Sequence, residues 1–292
     1  MQITLGHHLA ARAALVLLLI VGSAWAASGT NPAPRRIVSL NLCADQLVLA
    51  LADPDSVLSV TWLARDPKVS MMAAKAAHVA INHGLAEEIV PLAPDLVVAG
   101  VYTTRTTVAL LKRFRIPLIE IGVPQSLPAI YDQIRTVARA LGHADRGEAM
   151  VAAMTAELEA LDALPEATRP VAAVYQPNGL TAGRGSLIDD LFTRAGLRNL
   201  AAELTLNNYA QFPLEVLLLG HPDLLVLNTT DDVAPSRAHE LLHHPSLVKA
   251  FPRRHTLVVP RRLWACPGPW IVDVITRLHD AAQRLAVTED KR

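Results

Sequence analysis

From Arg262 to Trp270 the chain reads RLWACPGPW, nine residues that hold two of its four Trp, one of its two Cys, two Pro and a Gly. Aromatic residues make up only 4% of the sequence, so the concentration asks for a reason. Proline interrupts the segment too often for a strand or a helix. Rings presented from loops give broad, rigid contact area at small entropic cost. The chemistry this suggests is non-covalent recognition of a bulky ligand, with Pro and Gly shaping one wall. Trp62, Tyr102, Tyr175, Tyr209 and Trp264 are the aromatic candidates for ligand contact. Arg65, Arg105, Arg184, Arg261 and Arg262 add a second chemistry, because guanidinium pairs with carboxylates, phosphates and other planar anions. Nothing comparable points to catalysis: the chain has no Walker loop and no G-x-S-x-G elbow. His243 and His244 in LLHHPS could bind metal, but neighbouring helical residues point apart. No resident metal or cofactor is expected.

Those side chains need elements to position them. Strand-like runs alternate with helical patterns: RIVSL (36–40), then ADQLVLALA; VLSVT (57–61); GLAEEIVPLAPDLVVAG (84–100); TTVALLKRFRIPLIEIG (106–122). The alternation predicts an α/β layer with a mainly parallel sheet. From Ser126 to Leu164 the sequence is almost wholly helix-forming, with Gly142 a C-cap inside it. After Pro165 the α/β rhythm returns in PVAAVYQ, SLIDDLFTRAG, PLEVLLLGHPDLLVLN, HTLVVP and WIVDVITRLHDAAQRLA. LAEEIVPLAPDLVVAG and PLEVLLLGHPDLLVLN match in kind, so two lobes of similar construction are expected. In open α/β sheets, ligands bind beyond the carboxyl ends of the strands, and most of the aromatic and Arg candidates follow a strand-like run.

Residues 1–26 stand apart. Arg12, the apolar run Ala13–Val21 and Ala24-Trp25-Ala26 read as a secretory leader cleaved near Ala26. The apolar run is too short to span a bilayer comfortably. Lys+Arg and Asp+Glu are both 27, so no charge excess favours nucleic acid. Export makes a disulfide chemically feasible for Cys43 and Cys266. Two cysteines far apart in sequence mostly fail the distance requirement, so they are expected to remain apart; a bridge, or ligation of a soft metal in the ligand, is the alternative.

RIVSLNLCADQLVLALADPDSVLSVTW, LAEEIVPLAPDLVVAG, the helical stretch, GRGSLIDDLFTRAGLRNL and FPLEVLLLGHPDLLVL together resemble the cobalamin and ferric-siderophore periplasmic binding proteins of ABC importers. The resemblance covers residues 35 to 285. It implies two Rossmann-like α/β lobes joined by a single long helix, with the ligand in the cleft between them. The expected divisions are a leader at 1–26, an N-terminal lobe at 35–125, a helical segment at 126–166 and a C-terminal lobe at 167–287. By the same resemblance, Glu87 and Glu215 dock on Arg residues of a permease dimer that works with ATPase subunits, with Glu88 an alternative to Glu87. The expected function is a monomeric periplasmic receptor for a bulky metal chelate, the Arg count tilting the choice towards an anionic one. An exported α/β enzyme and a receptor for free zinc or manganese are the rival readings.

Overall fold

The computed structural model describes residues 32–227 and 237–289, so the expected leader lies outside the described residues. The first sheet is built from β1 (Ile37–Ser39), β2 (Val57–Thr61), β3 (Ala80–Asn82), β4 (Leu96–Gly100) and β5 (Leu118–Ile121). All its pairs are parallel, in the order β3-β2-β1-β4-β5. Helices α1 (Leu42–Leu51), α2 (Ala86–Ile89) and α3 (Arg105–Arg113) supply crossovers. The second sheet has the order β11-β10-β6-β8, again parallel, from β6 (Val171–Tyr175), β8 (Arg198–Asn199), β10 (Leu224–Leu227) and β11 (Thr256–Val258). A small antiparallel pair, β7 (Leu180–Ala182) with β9 (Tyr209–Gln211), sits beside it. The short strands β3, β7, β8 and β9 are additions to the sequence reading; two or three residues carry too little pattern to be seen.

The two half-repeats share one turn. Ala93-Pro94-Asp95 precedes β4 and His221-Pro222-Asp223 precedes β10; Ala93 and His221 are both left-handed, at φ 42 and 43. Each Asp then clamps the entry of its lobe's first strand. Asp95 accepts the Arg35 and Arg36 N–H groups at 2.8 and 3.0 Å, and Asp223 accepts the Val171 N–H at 2.8 Å. The internal similarity in the sequence is therefore the same hydrogen-bonded corner used twice.

The connection between lobes is helical, as expected, but in two pieces. Helices α4 (Leu127–Ala140) and α5 (Ala144–Glu159) pack on each other, and the chain turns between them at Gly142. Gly142 has φ +78, and a Cβ there would stand 2.5 Å from Ala33 Cβ, so only glycine fits the turn. The final helix, α9 (Ile271–Glu289), packs against α5 and against α6 (Leu187–Arg194).

Strand alternation sorts the core. Ile37, Val98, Ala172, Val174 and Val226 face one cluster that also takes Ile130, Ile134, Val151, Ile275 and Leu278 from the helices. The opposite faces feed a separate cluster in each lobe, Val38 with Val97 in the first and Ala173 with Tyr175 in the second. Both faces of each sheet are covered, which is why its strands read as unbroken apolar runs. Among the described residues no helix is long and apolar enough to cross a membrane.

Candidate functional site

In the first sheet the strand order reverses between β1 and β4, and their carboxyl ends form the crevice where ligands bind in such sheets. Asn41 caps α1 there, accepting the Cys43 N–H at 2.9 Å. Gly100 ends β4 against it; a Cβ would lie 2.9 Å from Asn41 Cγ. The chain then turns sharply: the Thr103 N–H donates to Gly100 O, and the Gly100 N–H donates to Thr103 Oγ1. This rigid turn leaves Tyr102 84% exposed. Trp62 follows β2 and is 51% exposed. Its base is fixed from below, because the buried Asp45 on α1 accepts both the N–H and the hydroxyl of Thr61. Burial pushes the Asp45 carboxyl up to about 7. Leu85, Val101 and Val123, beyond the ends of β3, β4 and β5, are also exposed. None of the three stands out in the sequence. Their signal is faint, an apolar residue continuing past a buried strand.

The second lobe corrects part of the expected site. Tyr175 is only 1% exposed and packs with Phe212 and Leu217, because alternation along β6 points it into the lobe's own cluster. It is a core residue and not a ligand contact in this form. Burial pushes its phenol up, and the Glu215 carboxylate adds to the effect. Tyr209, on β9, remains half exposed. In RLWACPGPW the aromatics divide. Trp270 is buried, donates from Nε1 to Cys266 O at 2.7 Å and lies over Gly268. Trp264, on the short helix α8 (Arg261–Trp264), is partly buried and donates to Val259 O at 3.3 Å. The segment is thus half plug and half surface.

Cys43 and Cys266 do not stay apart. They form a disulfide with Cα atoms 4.9 Å apart at a sequence separation of 223. The expectation of separation rested on chance proximity; the fold removes the chance by bringing the carboxyl end of β1 to the segment after β11. The mouths of the two sheets therefore meet at this bond.

The arginines also divide. Arg65 donates to the carbonyls of Ala76 and Val79, and Arg184 to that of Ala202, so both brace their own lobes. Arg105 opens α3 just after the Tyr102 turn, and Arg261 and Arg262 open α8; all three are exposed, with no side-chain partner among the described residues. Glu87 and Glu215 are exposed at the starts of α2 and α7 (Leu214–Leu219). Glu88 is occupied locally: it accepts the His83 N–H and pairs with His83 Nδ1, which hold its carboxyl below the usual range, and it caps α2 at Leu85.

One catalytic pattern escapes the sequence reading. His239-Glu240-Leu241-Leu242-His243 spells H-E-x-x-H, the spacing of zinc hydrolases, which requires one continuous α-helix. Here the α-helix Arg237–Glu240 gives way to a 3-10 turn at Leu241–His243, so the two histidines do not share one continuous α-helix. His244 is engaged with the Ser246 N–H. Among the described residues no three His, Cys, Asp or Glu side chains are grouped to hold a metal. A groove of about 510 Å³ lined by His221, Asp223, Lys249 and His255 lies at the amino end of β10, away from both mouths.

The chain is similar to known proteins along most of its length. A "Cobalamin-binding protein" of Halobacterium salinarum is 27% identical over 255 residues, covering 85% of this chain and 69% of the relative. The apo structure of the periplasmic heme-binding protein RhuT from Roseiflexus sp. RS-1 superposes with a TM-score of 0.65 at 26% identity, covering 85% of this chain and 99% of that one. The periplasmic vitamin B12 binding protein BtuF of Vibrio cholerae shares the fold, with a TM-score of 0.61 at 16% identity over 86% of this chain and 98% of its own. The profile of the periplasmic binding protein family matches residues 37–257, and the chain, with its paired parallel sheets and facing mouths, belongs to that family.

Proposed function

We propose that this chain is the exported receptor of an ABC importer, which holds a bulky metal chelate between its lobes and hands it to a permease dimer driven by ATPase subunits. It works in the periplasm as a monomer, after removal of residues 1–26, and catalyses nothing. The observation that carries the reading is the rim of exposed apolar and aromatic side chains, Trp62, Leu85, Val101, Tyr102 and Val123, along the carboxyl edge of the first sheet. Such a patch on a folded surface marks a binding site. The uncommitted guanidinium groups of Arg105, Arg261 and Arg262, with Tyr209 and Trp264 on the second lobe, favour an anionic chelate such as a ferric siderophore. The Halobacterium and Roseiflexus relatives are named for cobalamin and heme, which keeps metal tetrapyrroles in the same class.

Docking falls to Glu87 and Glu215. Each stands at the start of the corresponding helix of its lobe, exposed and unpaired among the described residues. Each has apolar surface beside it: a groove of about 270 Å³ lined by Val90, Leu110 and Phe114 next to Glu87, and exposed Val216 and Leu219 next to Glu215. Two contacts on one body reinforce each other through effective concentration.

Fluorescence titration with hemin, ferric enterobactin and cyanocobalamin tests the site. At least one should quench tryptophan emission, and Trp62→Ala with Tyr102→Ala should weaken it at least about tenfold, as loss of desolvated aromatic contacts does. A bound chelate indifferent to that double change would place the site elsewhere. Glu87→Ala with Glu215→Ala should keep the affinity and abolish uptake in cells; normal uptake would remove the docking assignment.

A further inference from the structure

We propose that the Cys43–Cys266 disulfide is a positioning bond for the ligand cleft: it sets the separation of the two mouths and holds the segment carrying Arg262 and Trp264 at its working place. The inference rests on the reading that the ligand lies between the lobes. Through α4 and α5 the chain passes from one lobe to the other on the helical side. Held on that side by this covalent crossover and the shared core, the lobes keep freedom to rotate about it at their mouths. The disulfide is a second covalent connection at a different place, from the first turn of α1, directly after β1, to the segment directly after α8. Opening the mouths would have to part Cα atoms that stand 4.9 Å apart.

The bond is also tied into a stiff block. Cys266 is 2% exposed, its carbonyl accepts the Trp270 Nε1–H at 2.7 Å, and the Trp270 ring lies against Gly268. Trp264, two residues before it, is pinned to Val259 O. Pro267 and Pro269 fix the backbone between. On the other side, Cys43 sits in a turn closed by Asn41, and Asp45 two residues on grips Thr61 beneath Trp62. A restraint at the sulfurs therefore reaches Trp62 on one lobe and Trp264 on the other through short, hydrogen-bonded paths. This answers why a cysteine stands among the aromatics of RLWACPGPW. Without the bond, the cleft samples wider separations, and affinity falls by the fraction of molecules still in the competent one.

The full exported chain is compared as oxidised wild type, as wild type reduced with a phosphine, and as Cys43→Ser with Cys266→Ser, at a temperature where circular dichroism shows all three folded. Cys43→Ala with Cys266→Val keeps the packing volume if the serine pair misfolds. The probe is whichever of hemin, ferric enterobactin or cyanocobalamin binds the oxidised form. We expect at least a tenfold loss of affinity without the bond, carried by faster dissociation, and recovery when the reduced wild type is reoxidised. A purely structural bond would lower the melting temperature and leave the affinity of the folded protein unchanged; that result overturns the inference. Oxidised wild type that binds none of the three probes fails the receptor reading instead, so the two failures are distinguishable.

Discussion

Replacing Asp45 by Asn should change how stability depends on pH. Asp45 is fully buried, and its carboxylate accepts the Thr61 N–H at 3.1 Å as well as the Thr61 hydroxyl. Burial raises its pKa from 3.8 to about 7, against the downward pull of its hydrogen bonds. The folded carboxyl thus keeps its proton where the unfolded one has lost it. Between about pH 4 and 7 the native state binds more protons, so this residue's contribution to stability falls as pH rises and is fully lost above about pH 7. The interval from 3.8 to about 7, at about 1.4 kcal/mol per pH decade, amounts to roughly 4 kcal/mol. Asparagine keeps the size, can accept the Thr61 N–H and donate to its hydroxyl, and has no proton to lose. Urea unfolding of both proteins at about pH 4.5, 6 and 8 measures the difference. The variant should gain on wild type as pH rises, by most of that figure, while contributions from other carboxylates cancel in the comparison. A difference that stays constant across the range would refute the argument that burial controls this group.

Three further outcomes follow from local geometry. Reducing the disulfide opens a loop of 223 residues, and the chain-entropy relation gives a loss of about 5 kcal/mol, read as a lower urea midpoint. Glu88→Ala should cost about 1 kcal/mol by removing the cap on α2, whereas Glu87→Ala should leave the melting temperature unchanged; equal effects would undo the assignment of separate roles. Gly142→Ala should cost about 1–3 kcal/mol in thermal unfolding, since φ is +78 and the added methyl would meet Ala33.

Sequence pattern alone determined the two α/β lobes, because parallel strands covered on both faces read as apolar runs whichever strand pairs with which, and the x-Pro-Asp corners announce their repetition locally. The helix end at Gly142 was legible for the same reason: a left-handed turn needs a residue without a Cβ. The exposed Trp62 and Tyr102 were legible from position, since each directly follows a strand. Tertiary structure decided the rest. Whether Tyr175 faces ligand or core depends on which face of β6 is covered by Phe212 and Leu217, residues some forty positions away. Whether an arginine is free or braces a carbonyl depends on loops folded beside it, as Arg65 and Arg105 show. That Glu88 is engaged locally while its neighbour Glu87 is exposed depends on where His83 lies. The disulfide is the plainest case: the sequence supplies two cysteines, but only the packing of two lobes closes a separation of 223 residues, because proximity across such a distance is a property of the fold and not of the chain.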